Sequence, residues 1–176
     1  TFGAHAEYLT LPATGTIIKK SAKMTYEDAT GVIDGATTAL SFLKNVAKIQ
    51  RGQTILINGA SGAVGAYAVQ LAKHFGAIVT GVCSTKNIEL VKSLGADKVI
   101  DYTKEDFTKN RGQYDIIFDA VGKSTFGKCK RALKPKGIYM TTVPSFGIVG
   151  AILRTSIIGG KKAKFTTAGL KQSQAT

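Results

Sequence analysis

The run Asn58-Gly59-Ala60-Ser61-Gly62-Ala63-Val64-Gly65 stands directly after the apolar stretch Thr54-Ile55-Leu56-Ile57 and directly before a stretch of helical period. Val64, Ala68, Leu71 and Phe75 recur at spacings of four, three and four, which puts them on one helix face, and Gly76 closes that helix as a residue free to turn left-handed. A strand feeding a glycine turn that opens a helix lets the backbone approach a pyrophosphate: the glycines remove side-chain bulk, and the helix N-terminus supplies unpaired N–H groups and partial positive charge. Gly62 would permit that approach, and Gly65 would let the helix pack on the strand. A glycine trio alone is equally a tight turn with no ligand. Strand, glycines, helix and second strand in register favour the dinucleotide reading.

Outward from the turn, β-branched runs alternate with amphipathic stretches from Arg51 onward, as in a parallel sheet covered by helices. Six strands are expected: 54–58, 77–83, 98–101, 114–119, 138–142 and a weaker one from Ala163 to Thr166. The first, fourth and fifth are continuous apolar runs, suited to burial on both faces. A helix is expected from Asn87 to Leu94, stopped by Gly95, and another from an N-cap at Ser124 to just before Pro135-Lys136-Gly137. Ahead of the sheet, Thr25-Tyr26-Glu27-Asp28 reads as a capping box with a shortened acid, opening a helix to Asp34, with a second helix from Thr38 to Ala47. Tyr8-Leu9-Thr10-Leu11-Pro12 and Thr16-Ile17-Ile18 read as extended segments in need of a partner. The fold class is α/β: a Rossmann doubly wound, six-stranded parallel sheet with helices on both faces.

A chain of 176 residues, 44% hydrophobic, can bury one substantial core. It contains no run of eighteen apolar residues and no basic-then-apolar leader, so no membrane partner is expected. Cys83 and Cys129 stand apart without metal-ligand spacing, which suits a reducing compartment, with the cytoplasm as the default. The net charge of +13 is spread over helices and turns, which suits a phosphorylated small molecule. The clusters Lys128-Cys129-Lys130-Arg131, Lys134-Pro135-Lys136 and Gly160-Lys161-Lys162 lack the interleaved aromatics of a single-strand groove, and a nucleic-acid partner is not expected.

Cofactor choice turns on the end of the second strand, where an enzyme using NAD normally places an acid for the ribose hydroxyls. Here the run is Cys83-Ser84-Thr85-Lys86-Asn87, with no acid. A carboxylate would repel a 2′-phosphate, whereas the hydroxyl of Ser84, the ammonium of Lys86 and the amide of Asn87 can each donate to one. NADP is therefore expected, although Ser84 as a helix cap and Lys86 as a solvated lysine are compatible with the same residues.

At this point the sequence resembles the medium-chain dehydrogenases/reductases, especially their quinone-oxidoreductase branch. The resemblance rests on Gly3-Ala4-His5-Ala6-Glu7-Tyr8, Gly35-Ala36-Thr37-Thr38-Ala39-Leu40, the glycine turn, Leu94-Gly95-Ala96-Asp97 and Val99-Ile100-Asp101-Tyr102, in that order and at fitting distances. It implies that residues 1–22 are the end of a GroES-like catalytic domain, 23–167 a dinucleotide-binding domain and 168–176 a truncated tail, in a chain that is a piece of a longer protein. It also implies roles for single residues. Thr38 would pack near the nicotinamide. Gly59, Ala60, Ser61, Gly62, Ala63 and Val64 would cradle the pyrophosphate. Ser84, Lys86 and Tyr102, with Asn87 beside them, would meet the adenosine phosphate. Ala120, Val121 and Gly122 would run along the cofactor, and Thr142 and Val143 would flank the nicotinamide. Val121 and Val143 could instead be core residues, Tyr102 an ordinary strand-end aromatic and Thr38 an N-cap.

In zinc-dependent alcohol dehydrogenases of that family, a metal-binding cysteine precedes the threonine by four residues. Here the position is Asp34, which disfavours zinc without abolishing a possible ligand. His5 and His74 have no ligand spacing. The resemblance thus implies an NADPH-dependent, zinc-independent reduction of a quinone, enone or related carbonyl acceptor, with no general acid nominated; the alternatives are a zinc-dependent alcohol dehydrogenase of the same family with Asp34 as a ligand, or a basic Rossmann module that binds RNA or senses redox state. It also implies a homodimer through the sixth strand near Ala163 to Thr166. Most of the catalytic domain lies outside these residues, so the chain alone is expected to bind cofactor and to catalyse poorly.

Overall fold

In the computed structural model, residues 6–12 and 17–166 are described. His5, Gly3-Ala4, Thr16 and the expected tail at 168–176 lie outside them. Six strands form one sheet: β1 (Thr54–Asn58), β2 (Ile78–Cys83), β3 (Lys98–Asp101), β4 (Tyr114–Asp119), β5 (Leu133–Thr141) and β6 (Lys162–Phe165). Their order is β3-β2-β1-β4-β5-β6 and every pairing is parallel. The chain winds outward from β1 in one direction, then returns to its other side, which opens a crevice between the ends of β1 and β4.

Alternation along each strand divides the core. Ile55, Ile57, Val79, Ile116 and Phe118 face one layer, and Leu56, Val82, Ile117 and Tyr139 face the other. The first layer is built by the helical residues before the sheet together with α3 (Ala63–His74) and α4 (Ile88–Ser93); the second by α5 (Phe126–Cys129) and α6 (Phe146–Ile157). Ile55, Leu56 and Ile57 are fully buried. Each contributes about 1.5–3 kcal/mol of burial, which is why an unbroken apolar run here forms a central strand.

Four expectations need correction. The two helices before the sheet are one continuous helical stretch over 26–47, in which α1 (Tyr26–Gly31) and α2 (Thr37–Leu40) alternate with wider turns at Val32–Ala36 and Ser41–Ala47. Gly35 lies inside that stretch. A Cβ there would lie 2.8 Å from the Tyr67 ring and 2.9 Å from the Ala63 carbonyl oxygen, so glycine lets this helix press onto α3. Thr38 accordingly sits inside the stretch and not at a helix start. Ser124 is likewise not a cap: its amide is drawn to Asp119, the Thr125 hydroxyl caps α5 instead, and α5 ends at Cys129.

The fifth strand begins at Leu133, before Pro135, because residues 134–137 bulge out of the ladder where a proline has no N–H to give. Finally, residues 146–157 form α6, a helix the sequence pattern does not predict. There the Ser145 hydroxyl accepts from the Ile148 amide, and Ile148, Ala151, Ile152 and Thr155 turn inward. Gly147, Gly150 and the β-branched residues masked its helical character.

At the opposite end of the sheet from the crevice, Asp115 Oδ2 accepts from the Thr54 amide and hydroxyl, each at 2.8 Å, and from Lys134 Nζ at 2.7 Å. Burial opposes its ionisation, but these donors outweigh burial and hold the carboxyl below its ordinary value. A carboxyl with a lowered folded-state pKa stabilises the fold above the unfolded value of about 3.9 and loses that stabilisation as pH falls through the folded one. Asp115→Asn is therefore expected to be less stable than wild type in urea at about pH 7, with the gap closing towards about pH 3. A gap that stays constant with pH would count against it.

Candidate functional site

The strand ends are flush at the crevice: Asn58 pairs with Val82 on one side and Asp119 on the other, Asp119 with Thr141, and Cys83 with Asp101. Loops leaving these ends meet each other. In the glycine turn, the amides of Gly59 and Ala60 both donate to Val82 O, at 3.1 and 3.0 Å, which folds the turn back over β2. Gly59 has φ +83°, and a Cβ on it would lie 2.4 Å from Val121 Cγ1. A Cβ on Gly65 would lie 2.0 Å from Gly59 O, so helix and turn touch backbone to backbone. No side chain caps the N-terminus of α3 at Gly62. Its first-turn N–H groups, including those of Ala63 and Val64, face outward without a side-chain acceptor, which is the arrangement an anion fills.

Beside the turn, Asn87 Nδ2 donates to Ser61 Oγ at 2.9 Å and to Ser84 Oγ at 3.4 Å, joining the glycine turn to the end of β2. Lys86 is exposed on the same short turn and, among the described residues, forms no ion pair. Tyr102 is 60% exposed and anchored by its amide to Cys83 O. One acid nearby is marked in the sequence only as a strand end. Asp101, at the end of β3, accepts from the hydroxyls of Thr85 and Thr103, and these hold its carboxyl below the ordinary value, with Lys104 3.9 Å away. Its charge is thus taken up by Thr85, at the end of β2, and by Thr103, in its own loop. Thr85 spends its proton there and is not a free donor.

On the other side of the crevice, Val121 and Val143 are 41% and 43% exposed, so neither is a core residue. Gly122 has φ +65°, and a Cβ on it would be 2.6 Å from Val143 Cγ2, so the loops after β4 and β5 lie against each other. Thr142 Oγ1 ties them further by donating to Ala120 O at 3.2 Å. Behind these loops is a cavity of about 120 Å³ lined by Ser124, Phe126, Tyr139, Val143 and Ser145, too small for a dinucleotide.

The residue that organises this side is Asp119, which the sequence reading treated only as a strand end. It is fully buried and ends β4. Asn58 Nδ2 donates to it at 3.0 Å, the Ser124 amide at 2.7 Å, the Tyr139 hydroxyl at 3.2 Å and the Val121 amide at 3.4 Å. Burial, and then the neighbouring Asp119 charge, push the Tyr139 phenol well above its ordinary value, which keeps it a proton donor.

Asp34 is exposed, and among the described residues no three His, Cys, Asp or Glu side chains converge. Cys83 and Cys129 are buried and free; burial raises both thiols, Cys129 to about 11.

The sequence model of the family described as zinc-binding dehydrogenase matches residues 63–151, from the glycine turn into α6. The chain belongs to the medium-chain dehydrogenase/reductase family. Among curated members, it is 38% identical over 160 residues to the mouse mitochondrial NAD(P)H oxidoreductase RTN4IP1, covering 82% of this chain and 40% of that protein. It is 40% identical over 155 residues to the 2-methylene-furan-3-one reductase of Solanum lycopersicum, covering 84% of this chain and 39% of that one. Among solved structures of the family, the quinone oxidoreductase of Coxiella burnetii superposes with a TM-score of 0.78 at 28% identity, covering 90% of this chain and 49% of that one. The chain therefore spans less than half the length of these three family members.

Proposed function

We propose that this chain is the NADPH-binding domain of an oxidoreductase that reduces a quinone, an enone or a related carbonyl acceptor. The observation that carries the reading is the uncapped N-terminus of α3 behind Gly59, Gly62 and Gly65, next to a β2 end that offers Ser84, Lys86 and Asn87 and no acid. A dinucleotide fits this cradle because Gly62 adds no side chain at the uncapped end of α3, while glycine at 59 and 65 lets the turn lie against Val121 and α3. The amides of Ser61, Ala63 and Val64 would hold the pyrophosphate, those of Gly59, Ala60 and Gly62 being taken up in shaping the turn; Ser84, Lys86, Asn87 and Tyr102 would hold the 2′-phosphate, and Ala120, Val121 and Gly122 the stretch towards the nicotinamide, with Thr38, Thr142 and Val143 around that ring. When bound, the cofactor supplies a hydride.

What the chain's own residues contribute is position and dryness. The half-exposed Val121 and Val143 present apolar surface that excludes water from the reacting side, and the Thr142 hydroxyl, held by Ala120 O, fixes the loop that carries Val143. No side chain here is assigned as proton donor. A conjugated acceptor delocalises the charge it gains, so the proposed reduction needs no metal.

Residues 1–22 are proposed as the end of a catalytic domain, 23–167 as the dinucleotide-binding domain and 168–176 as a tail. Tyr8 and Leu11, exposed and in no regular element, fit a segment whose partner lies elsewhere in a longer protein. A homodimer through β6 is proposed because β6 is an edge strand. Phe146, Val149, Leu153 and Ile157 add an exposed apolar stripe on α6, the helix that packs on it. The two buried thiols suit the cytoplasm, or another reducing compartment such as the one named for the mouse relative.

Calorimetric titration with NADPH and NADH tests the central reading. NADPH is expected to bind more tightly, and Lys86→Ala to weaken NADPH by about 10–100-fold while barely changing NADH, as loss of a charge-assisted contact requires. Equal affinity for both cofactors would move the reading to NAD or dual use.

A further inference from the structure

Asp119 is the one fully buried carboxylate among the described residues, and its four partners are neutral: an amide side chain, two backbone amides and a phenol. The Asn58 amide and the Val121 and Ser124 N–H groups donate to it, and the Tyr139 hydroxyl lies between it and Ser124 O, at 3.2 and 3.1 Å. Donors without an acceptor in return are the surroundings that solvate a carboxylate. Neutral donors solvate a charge without cancelling it, and among the described residues no lysine, arginine or histidine pairs with it. Lys123, the cation of the same loop, is exposed to solvent, which screens it. A net negative charge is therefore fixed in dry protein directly beneath Ala120, Val121 and Gly122, where the dielectric is low and its field reaches far.

We infer that Asp119 sets the redox poise of the nicotinamide crevice, favouring the oxidised cofactor over the reduced one; this rests on the cofactor reading above. When a hydride leaves with its electron pair, the nicotinamide ring gains one unit of positive charge. A fixed carboxylate near the ring stabilises the charged product more than the neutral reactant. Asp119 thereby makes bound NADPH a stronger hydride donor than NADPH in water, without touching it.

The readout is a ratio of affinities, which a merely structural role leaves unchanged. Wild type, Asp119→Asn and Tyr139→Phe are titrated with NADPH and NADP+ by calorimetry. In Asp119→Asn, the ratio of the NADP+ Kd to the NADPH Kd is expected to rise about five- to tenfold, the larger value corresponding to about 30 mV for a two-electron couple. Tyr139→Phe, which loosens the network but keeps the charge, is expected to hold the ratio within about twofold of wild type. If Asp119→Asn gives no cooperative melt, Asp119→Asn combined with Tyr139→Phe removes the phenol donor that the new amide would confront, and the same rise is expected. Equal weakening of both cofactors would reduce Asp119 to a structural anchor and overturn the inference. Wild type binding neither cofactor would overturn the cofactor reading itself, and this inference with it.

Discussion

Gly65→Ala is expected to lose about 3 kcal/mol of stability, lowering the Tm by roughly 6–12 °C, and to bind dinucleotide at least about 100-fold more weakly. The added methyl would stand 2.0 Å from Gly59 O, 2.8 Å from Gly59 C and 2.9 Å from Ala60 Cα. All three are backbone atoms, so no side-chain rotation relieves the clash and either α3 or the turn must move. The turn is held by the Gly59 and Ala60 amides on Val82 O, so its displacement also pulls on β2. Gly150→Ala is the control: nothing lies within 4 Å of that Cβ in α6, and a gain of about 0.5–1 kcal/mol is expected from helix propensity. Thermal melts and NADPH titration of both variants check the contrast. A Gly65→Ala chain that melts and binds like wild type would mean that the packing of α3 on the turn is looser than described.

Asp119→Ala is expected to cost about 3–5 kcal/mol, because it leaves the Asn58 amide and the backbone N–H groups of Ser124 and Val121 without their acceptor. Tyr139 suffers least, since its hydroxyl also reaches Ser124 O at 3.1 Å. Tyr139→Phe should therefore cost only about 1 kcal/mol. Urea unfolding gives both values, and hydrogen exchange at Ser124 should accelerate in Asp119→Ala even under conditions where the rest of the sheet stays protected. A loss below about 1.5 kcal/mol in Asp119→Ala would show that the loop finds other acceptors.

The parts of this fold legible in the sequence are those where one local signal had one meaning. β1, β3 and β4 match the expected bounds because apolar runs flanked by turn residues have few other uses. Gly76 and Gly95 end α3 and α4 in the left-handed conformation their positions implied, with φ +76° and +99°. Signals with two meanings failed. Residues 35–37 stand between two expected helices, and only the approach of Gly35 to Tyr67 and Ala63, far along the chain, shows why the helix runs through. Pro135 reads as a helix stop, yet it sits in a bulge that only the pairing of β4 with β5 creates.

At the candidate site the glycine turn and the β2 end were readable because their spacing carries the chemistry. Asp119 was not, because an acid after an apolar run looks the same whether it meets water or four donors. What makes it special comes from Asn58, Ser124 and Tyr139, up to 61 residues away in sequence.

The strand order also bears on how the chain is made. Leu56 pairs with Thr80 on one side of β1 and with Ile117 on the other. A chain emerging from the ribosome N-terminus first can assemble β1, β2 and β3 early, while the second edge of β1 waits until β4 has left the exit tunnel. In that interval the centre of the future sheet is an open, apolar edge, the kind of surface that nascent chains stick by. Such long-range parallel pairing makes folding slow, and a pause in translation between β3 and β4 would prolong the exposure most.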